Sequence, residues 1–494
     1  GVTGAGIALD AASRGLKVCL VEKNDFASGT SNKSTKLIHG GLRYLKQFEI
    51  GLVRESGSER AIVHKLAPHL VIPEKMLLPL VEGGTYGKMM TSIGLKVYDF
   101  LADVKGDDRR RMLNKEETLQ KETLLNKDAV LGSGLYAEYR TDDARLTIEI
   151  LKKAASLGAT IINYCKMESF NYNDDSKIKS LNCIDGNTEN TVKIKARNYV
   201  SAAGPWVDKL RAKDHSISNK YLHLTKGVGT TDTNYSGNLD RVVATKDDAK
   251  YLLNAINVTF PDVTLSIDDI ESNWAGLRPL IHEEDKDPSE LSRKDELFIS
   301  KSGLISIAGG KLTGYRRMAD RVIEAVLKTM KSKHKKDLKK SKTAKIPLVS
   351  PSLENSHNVE IYEKELEIKL LELGISDAYH AWYLCTTYGK QSDIIINKSK
   401  TFDNQDALER LIRAELWYCI YHEMTNSLTD FFVRRTGRLY FNIPSVKKYM
   451  KIISEDCVKY LKWDIKRMTF ENENMKLLLE DATTYYEKEF LNNL

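Results

Sequence analysis

The chain opens on Gly1-Val2-Thr3-Gly4-Ala5-Gly6, and the elements behind this turn limit the fold more than any other feature. Ile7, Ala8, Ala11 and Ala12 form a narrow face of small residues on a short helix that Gly15 ends, which suits close packing on a sheet. Lys17-Val18-Cys19-Leu20-Val21 then reads as a buried strand ending in Glu22. Turn, helix, strand and acid in this order make the second half of a βαβ unit that binds a dinucleotide. Gly1 and Gly4 stand where the last two glycines of G-x-G-x-x-G let the backbone approach a pyrophosphate. Glu22, about twenty residues on, stands where a carboxylate accepts hydrogen bonds from a ribose diol. Half a glycine motif alone would be an ordinary tight turn; the helix, strand and acid favour the dinucleotide. A phosphate turn is aimed by the strand before it, so that strand is expected ahead of Gly1.

A chain of 494 residues suits two or three domains rather than one. With 41% hydrophobic and 29% charged residues it is neither disordered nor fibrous, and no apolar run approaches the ~18 residues of a membrane span. A net charge of +7 suits a phosphorylated substrate or an anionic membrane surface, and is too modest an excess to point to nucleic acid. The six cysteines are scattered, with no metal-ligand spacing. They imply a reducing, cytoplasmic-side protein with no disulfide framework and no metal site.

Further along, Ser58–Leu135 is mixed, with turn signals at Glu82-Gly83-Gly84 and a charged stretch at Asp107–Arg111. Asp142 reads as the N-cap of a helix to about Leu157, ended by Gly158. Short strands are predicted at Thr160–Tyr164 and Ser180–Ile184. Two strand–glycine–helix units come next, at Asn198–Trp206 and from Gly303 through Val326. Lys328–Lys345 is rich in lysine and poor in apolar residues, and reads as a basic linker, solvated or, more sharply, drawn to a membrane surface. Beyond it the pattern is helical: Leu366, Leu370 and Leu373 share one face, and Leu408, Leu411, Ile412, Leu416, Cys419 and Ile420 another.

Several motifs carry chemistry. Ser31–Leu45 is a hydroxyl-rich stretch running into Gly40-Gly41 and then Arg43-Tyr44, suited to giving donors to a cofactor and presenting Arg43 to an anion. Its bland alternative is a capped surface turn with His39 as an ordinary polar residue. Arg278, Arg293 and Lys311 each sit beside turn signals. Cations converging on one anion are what a phosphate monoester requires, although each alone would pass for a solvated charge. Gly309-Gly310 before a helix start offers N–H donors and a dipole end to a charged flavin ring.

Together these blocks resemble the FAD-dependent glycerol-3-phosphate dehydrogenases and the related α-glycerophosphate oxidases. The likeness rests on Ser34–Leu45, Ala203–Trp206, Trp274–Leu280, Gly309–Arg316 and Glu423–Arg435, and runs over nearly the whole chain. It implies an α/β plus α architecture. A discontinuous Rossmann-like FAD domain of the glutathione-reductase or D-amino-acid-oxidase type (about 1–57, 136–210 and 270–327) is interleaved with an antiparallel-sheet substrate domain (about 58–135 and 211–269). The basic linker at 328–345 and a helical domain at 346–494 complete the chain. The resemblance also implies that Arg43 and Tyr44 face the substrate phosphate and that Arg278, Arg293 and Lys311 line the same pocket, with Arg278 nearest the reacting oxygen. Glu22 holds the adenosine ribose, and Gly1, Gly4, Ser34, Thr35, His39, Gly204, Gly310 and Thr313 lie around FAD. The activity expected is oxidation of sn-glycerol 3-phosphate to dihydroxyacetone phosphate. Electrons would pass to a membrane quinone, from a peripheral enzyme for which a homodimer is one expected assembly.

One departure stands out: Thr225-Lys226-Gly227 runs directly into Val228–Asp232. In the family a histidine-bearing segment and several strands, roughly forty residues, separate these blocks. That histidine is a candidate proton acceptor. Both edges lie inside intact motifs, which favours omission of a segment over a disabling deletion. The alternatives are an oxidase that reduces oxygen to hydrogen peroxide and a catalytically silent flavin-binding homologue. The short connector His282–Ser292, where some oxidases carry a long insertion, favours the dehydrogenase.

Overall fold

The opening turn folds as its sequence predicts. In a computed structural model, which describes all residues except 40–48, 85–86, 102–103, 105, 216–220, 229–232, 283–293, 331–337, 404–405 and 488–494, helix α1 (Val2–Ser13) begins directly after Gly1. It ends at Arg14, with Gly15 left-handed at φ +92°. Strands β1 (Cys19–Val21) and β2 (Leu37–Ile38) flank a long loop. Next come α2 (Ile50–Leu66), β3 (Val71–Val81), α3 (Lys88–Leu101), β4 (Arg111–Leu113), α4 (Lys115–Lys121) and β5 (Val130–Thr141). Asp142 caps α5 (Asp143–Ser156), accepting from the Arg145 amide at 3.0 Å, as its position in the sequence predicts.

Strands β6 (Thr160–Ile162), β7 (Cys165–Tyr172), β8 (Ile178–Asp185), β9 (Thr191–Ile194) and β10 (Tyr199–Ser201) lead to the short α6 (Val207–Arg211). After them stand β11 (Leu222–Gly227), β12 (Thr233–Asn234), α7 (Lys246–Thr259), β13 (Gly276–Ile281), β14 (Asp295–Ile299), β15 (Leu304–Gly309) and α8 (Tyr315–Thr329). The rest is helical: α9 (Ser356–Glu372), α10 (Ala378–Tyr388), α11 (Ser392–Ser399), α12 (Ala407–Glu423), α13 (Arg438–Phe441), α14 (Ile443–Leu461) and α15 (Ile465–Thr483), with a π-helical turn at Asp430–Arg435.

Parallel pairing joins β1 to β6 and β10 to β15, the register expected of strands linked by crossover helices. Three further sheets are antiparallel: β2-β5-β3 with β4 on β5, β7-β8-β9, and β12-β11-β13. Helix α1 is buried between α5 and α8. Gly6 permits the α8 contact, since a Cβ there would lie 2.8 Å from the Tyr315 ring and 3.2 Å from its carbonyl oxygen. The helical domain has its own core, in which Leu366, Leu370, Leu411, Ile412, Leu416 and Cys419 are buried as their spacing predicts.

One region differs from the sequence-based expectation. Helix α8 runs through Thr329, and the later part of the expected linker is docked. The Lys339 amide donates to the Arg14 carbonyl at 3.1 Å, and the Ser341 hydroxyl to Asp10 at 2.5 Å. Asp10 and Arg14 are buried polar groups on α1 that require partners, and this segment supplies some of them. At the Gly227–Val228 junction, β11 and β12 form an antiparallel pair, with Thr225 opposite Asn234 and Lys226 opposite Thr233.

Candidate functional site

The N-terminus of α1, the end of β1, the loop before β2, the turn after β10, strand β13 and the turn after β15 border one cleft of about 1520 Å³. The loop before β2 is shaped by hydrogen bonds to all sides. The Val2 amide donates to Ser31 Oγ at 2.9 Å, and the Thr30 hydroxyl to the Leu277 carbonyl at 2.7 Å. The Ser34 amide donates to Asp143 at 3.1 Å, and the Trp274 indole to the Ser34 carbonyl at 3.3 Å. Buried Lys36 binds the other oxygen of Asp143 and the Asn32 carbonyl. Burial disfavours its charge, yet Asp143 and Asp142 more than compensate and raise its pKa.

Glycines let this loop and the strands approach. A Cβ on Gly276 would sit 2.3 Å from the Lys33 carbonyl, so a side chain there would push β13 off the loop. Gly309 and Gly310 adopt φ +77° and +79° in succession, and a Cβ on Gly310 would meet Met318 at 2.5 Å. A Cβ on Gly227 would lie 2.6 Å from the guanidinium of Arg278, which β13 holds opposite Thr225 of β11. The glycine of Thr225-Lys226-Gly227 is thus the floor on which Arg278 rests. Lys311, at the start of the turn after β15, reaches Ser56 on α2 at 3.4 Å.

Gly1, Gly4, Glu22, Ser34, Thr35, His39, Gly204, Gly310, Arg278 and Lys311 all line this one cleft. Thr313 does not; it is buried behind the wall, where its hydroxyl donates to the His39 carbonyl at 3.3 Å. Arg43, Tyr44 and Arg293 lie outside the described residues. Sequence reasoning missed Lys33, which also lines the cleft and whose pKa is pushed down to about 8 by burial and the nearby Arg434 charge. It missed Asp143 as well, the anchor of the loop. An acid directly after an N-cap Asp, buried on the first turn of α5, was the available signal.

The helical domain grips the chain three residues past Glu22. Asp25 receives Arg435 at 2.7 and 3.0 Å, Arg434 at 2.6 Å and Asn163 at 3.1 Å. Burial would raise the Asp25 pKa, but the two guanidiniums bring it down to about 2. Tyr164 and Asp430 extend the cluster, joined at 2.6 Å.

A model of FAD-dependent oxidoreductases matches residues 1–228, and one of the C-terminal domain of alpha-glycerophosphate oxidase matches residues 341–468. The chain is 45% identical to the aerobic glycerol-3-phosphate dehydrogenase of Bacillus subtilis, over 99% of this chain and 95% of that one. It is 44% identical to the enzyme of that name from Staphylococcus aureus, over 98% and 93%. Its fold matches the glycerol-3-phosphate dehydrogenase of Bacillus halodurans, solved with FAD, at a TM-score of 0.81 and 37% identity, covering 98% and 94%. The Bacillus subtilis alignment spans 527 positions against a chain of 494, so at least 33 of them face a gap in this chain.

Proposed function

Because the chain belongs to the family of FAD-dependent glycerol-3-phosphate dehydrogenases, we infer that it oxidises sn-glycerol 3-phosphate to dihydroxyacetone phosphate and passes the electrons to a membrane quinone. The observation that carries this reading is the placing of Arg278 and Lys311 on the same cleft as the α1 N-terminus and Glu22. That combination joins a dinucleotide site to an anion site.

The cleft fits FAD. The first residues of α1 border it with N–H donors and the positive end of the helix dipole, in reach of a pyrophosphate. Glu22 would hold the adenosine ribose, and Ser34, Thr35, His39 and the Gly309-Gly310 turn would surround the ring system, with Thr313 bracing His39 from behind. When bound, FAD supplies the two-electron acceptor for the hydride that leaves carbon 2 of the substrate.

The residues of the chain do the rest. Arg278 steadies the reacting oxygen as its proton passes to a base or to water, and Lys311 binds the phosphate together with Arg43, Tyr44 and Arg293. Gly227 leaves room for the guanidinium of Arg278 and β13 fixes its backbone, which supports a side chain set in place before substrate arrives. Pre-positioning of this kind lowers the barrier without reorganisation during the reaction.

The test is anaerobic. Adding glycerol 3-phosphate to the yellow protein should bleach the visible flavin band, and a soluble quinone should restore it. A flavin that stays oxidised in the presence of substrate would refute the substrate assignment. Reoxidation by air much faster than by quinone would replace the dehydrogenase with the oxidase.

A further inference from the structure

The helical domain takes hold of the chain a second time, immediately ahead of β13. Three consecutive residues are gripped there. The Ser272 hydroxyl donates to the Tyr440 carbonyl at 2.8 Å. The backbone amide and the side-chain amide of buried Asn273 both donate to the Ala482 carbonyl, at 2.8 and 2.9 Å. The Trp274 ring packs on two rings of α13, its centroid 5.0 Å from that of Tyr440 and 5.5 Å, edge-on, from that of Phe441.

Arg278 stands four residues further on. Strand β13 pairs Gly276 with Gly227 of β11 and Arg278 with Thr225, so these four lie on one face of the pair. The guanidinium rests against Gly227, and so runs back from its own Cα toward the beginning of β13. That beginning is where the Lys33 carbonyl presses on Gly276 and where Trp274 donates to the Ser34 carbonyl at 3.3 Å. Helix α13 reaches the same loop from its other end. The buried Tyr440 ring lies 6.0 Å from the ammonium of Lys36, which anchors the loop on Asp143. Gly437, directly before α13, brings it beside α5, since a Cβ there would lie 3.6 Å from the Asp142 carboxylate. The Ser34 loop and the strand of Arg278 thus share one support, which belongs to the helical domain.

We propose that Trp274 is a positioning residue, through which α13 of the helical domain sets the Arg278 guanidinium and the Ser34 loop relative to each other. The proposal rests on the role given to Arg278 above, and it assigns the helical domain a part in the reaction as well as in the fold. A misplacement of about 1 Å caused far from the chemistry slows a reaction roughly a hundredfold. An indole suits the task, because packing fixes its place and its single N–H donor fixes its rotation.

Phe441 is 56% exposed and does not border the cleft, so a change there tests the support without touching a ligand. In the FAD-loaded full chain, Phe441→Ala should slow anaerobic bleaching of the flavin by saturating glycerol 3-phosphate roughly tenfold. The thermal midpoint and the substrate concentration for half the limiting rate should stay near wild type. Phe441→Tyr keeps the ring edge on Trp274 and should restore the rate. Trp274→Phe keeps the packing but loses the donor, and should slow bleaching too. Hydrogen exchange should quicken in both slow variants at the Ser34 and Lys36 amides, which donate to Asp143 and to Ser34 Oγ. Arg413→Ala is the control, because it removes a pair with Asp456 at 2.7 and 2.8 Å inside the helical domain. It should lower the midpoint and leave bleaching unchanged. Bleaching of Phe441→Ala at the wild-type rate would overturn the proposal. So would equal slowing in Arg413→Ala, since the loss would then follow general stability. A wild type whose flavin never bleaches would sink the substrate assignment instead. Exchange in Phe441→Ala would still decide the positioning, and unchanged exchange would overturn it.

Discussion

Cations are built into two regions of this molecule on opposite principles. At the seam between the α/β part and the helical domain, buried cations are closed by carboxylates. Arg145 of α5 donates to Glu423 of α12 at 2.6 and 2.9 Å and to Glu149 at 2.7 Å, and Lys152 reaches Glu423 and Glu149 at 2.9 Å each. Arg434 and Arg435 meet Asp25 in the same manner. In the cleft, Arg278 and Lys311 are set by glycine turns and strand register on the wall of a space large enough for ligands. The difference teaches what each cation is for. Seam cations complete the fold, whereas the proposed function gives the cleft cations a ligand to meet.

The strongest way to break this distinction is Glu423→Gln. Burial would raise the pKa of Glu423, but Arg145 and Lys152 hold it well below the usual carboxylate range, so the side chain is a buried anion at neutral pH. The amide keeps its shape and loses its charge, leaving buried Arg145 and partly exposed Lys152 with Glu149 as their shared carboxylate. Removing one partner of such a network costs about 3–5 kcal/mol. The thermal midpoint should fall by many degrees, while turnover per bound flavin stays near wild type. An unmoved midpoint would show that the seam is not what holds the domains.

Arg278→Ala should do the reverse. Loss of a pre-positioned donor at a reacting oxygen costs about 10²–10³ in turnover. The midpoint and the bound flavin should remain. Loss of flavin in this variant, or unaltered turnover, would remove Arg278 from the assigned role.

The two regions are also unequally legible in the sequence. The cleft is built from short-range signals: a glycine spacing, a hydroxyl-rich stretch, a glycine pair before a helix. Each fixes local backbone, so Gly1, Glu22, Ser34, Gly310 and Lys311 can be named without knowledge of any contact. The seam joins residues such as Arg145 and Glu423, 278 positions apart, and nothing local in either helix announces the other. Glu423–Arg435 stands out as a family motif, yet its work at Asp25 emerges from tertiary pairing. Strand β7 escapes for a related reason, because Cys165–Tyr172 alternates weakly and is defined by pairing with β8. The buried side of helix α3 is illegible for the same reason, because the partners of Tyr98 and Ser92 come from elsewhere in the chain.

The seam also predicts a pH dependence. His69 is buried against Gly389, its two ring nitrogens lack hydrogen-bond partners among the described residues, and Arg145 and Lys152 lie near. Burial, with those two charges, lowers its pKa from 6.5 to about 3. The unfolded chain therefore binds a proton below about pH 6.5 that the folded chain refuses, and stability falls as pH falls through that window. Between pH 6.5 and 5 the loss should be about 2 kcal/mol, before the carboxylates of Asp25 and Glu423 begin to matter. Thermal midpoints of His69→Phe should be flatter across this range than those of the wild type. Parallel curves would mean that His69 takes up its proton in the folded state.

Gly6→Ala gives the smallest effect and sharpens the comparison at the back of the cleft, where no charge is involved. An alanine gains about 1 kcal/mol over glycine in a helix interior. Here its methyl carbon would sit 2.8 Å from the Tyr315 ring, which can give a little, and 3.2 Å from the Tyr315 carbonyl, which belongs to the first turn of α8. Overpacking of this kind costs about 1–3 kcal/mol. The net change in stability should be a loss of no more than about 2 kcal/mol. Its signature should be flavin retention, because α8 starts directly after the turn carrying Gly310, Lys311 and Thr313, and pushing α8 off α1 displaces that turn. The variant should release FAD faster on dilution than the wild type, at nearly the same thermal midpoint. Equal release would mean that α8 yields without moving the turn, and that the wall of the cleft is set by the backbone of Gly309 and Gly310 alone.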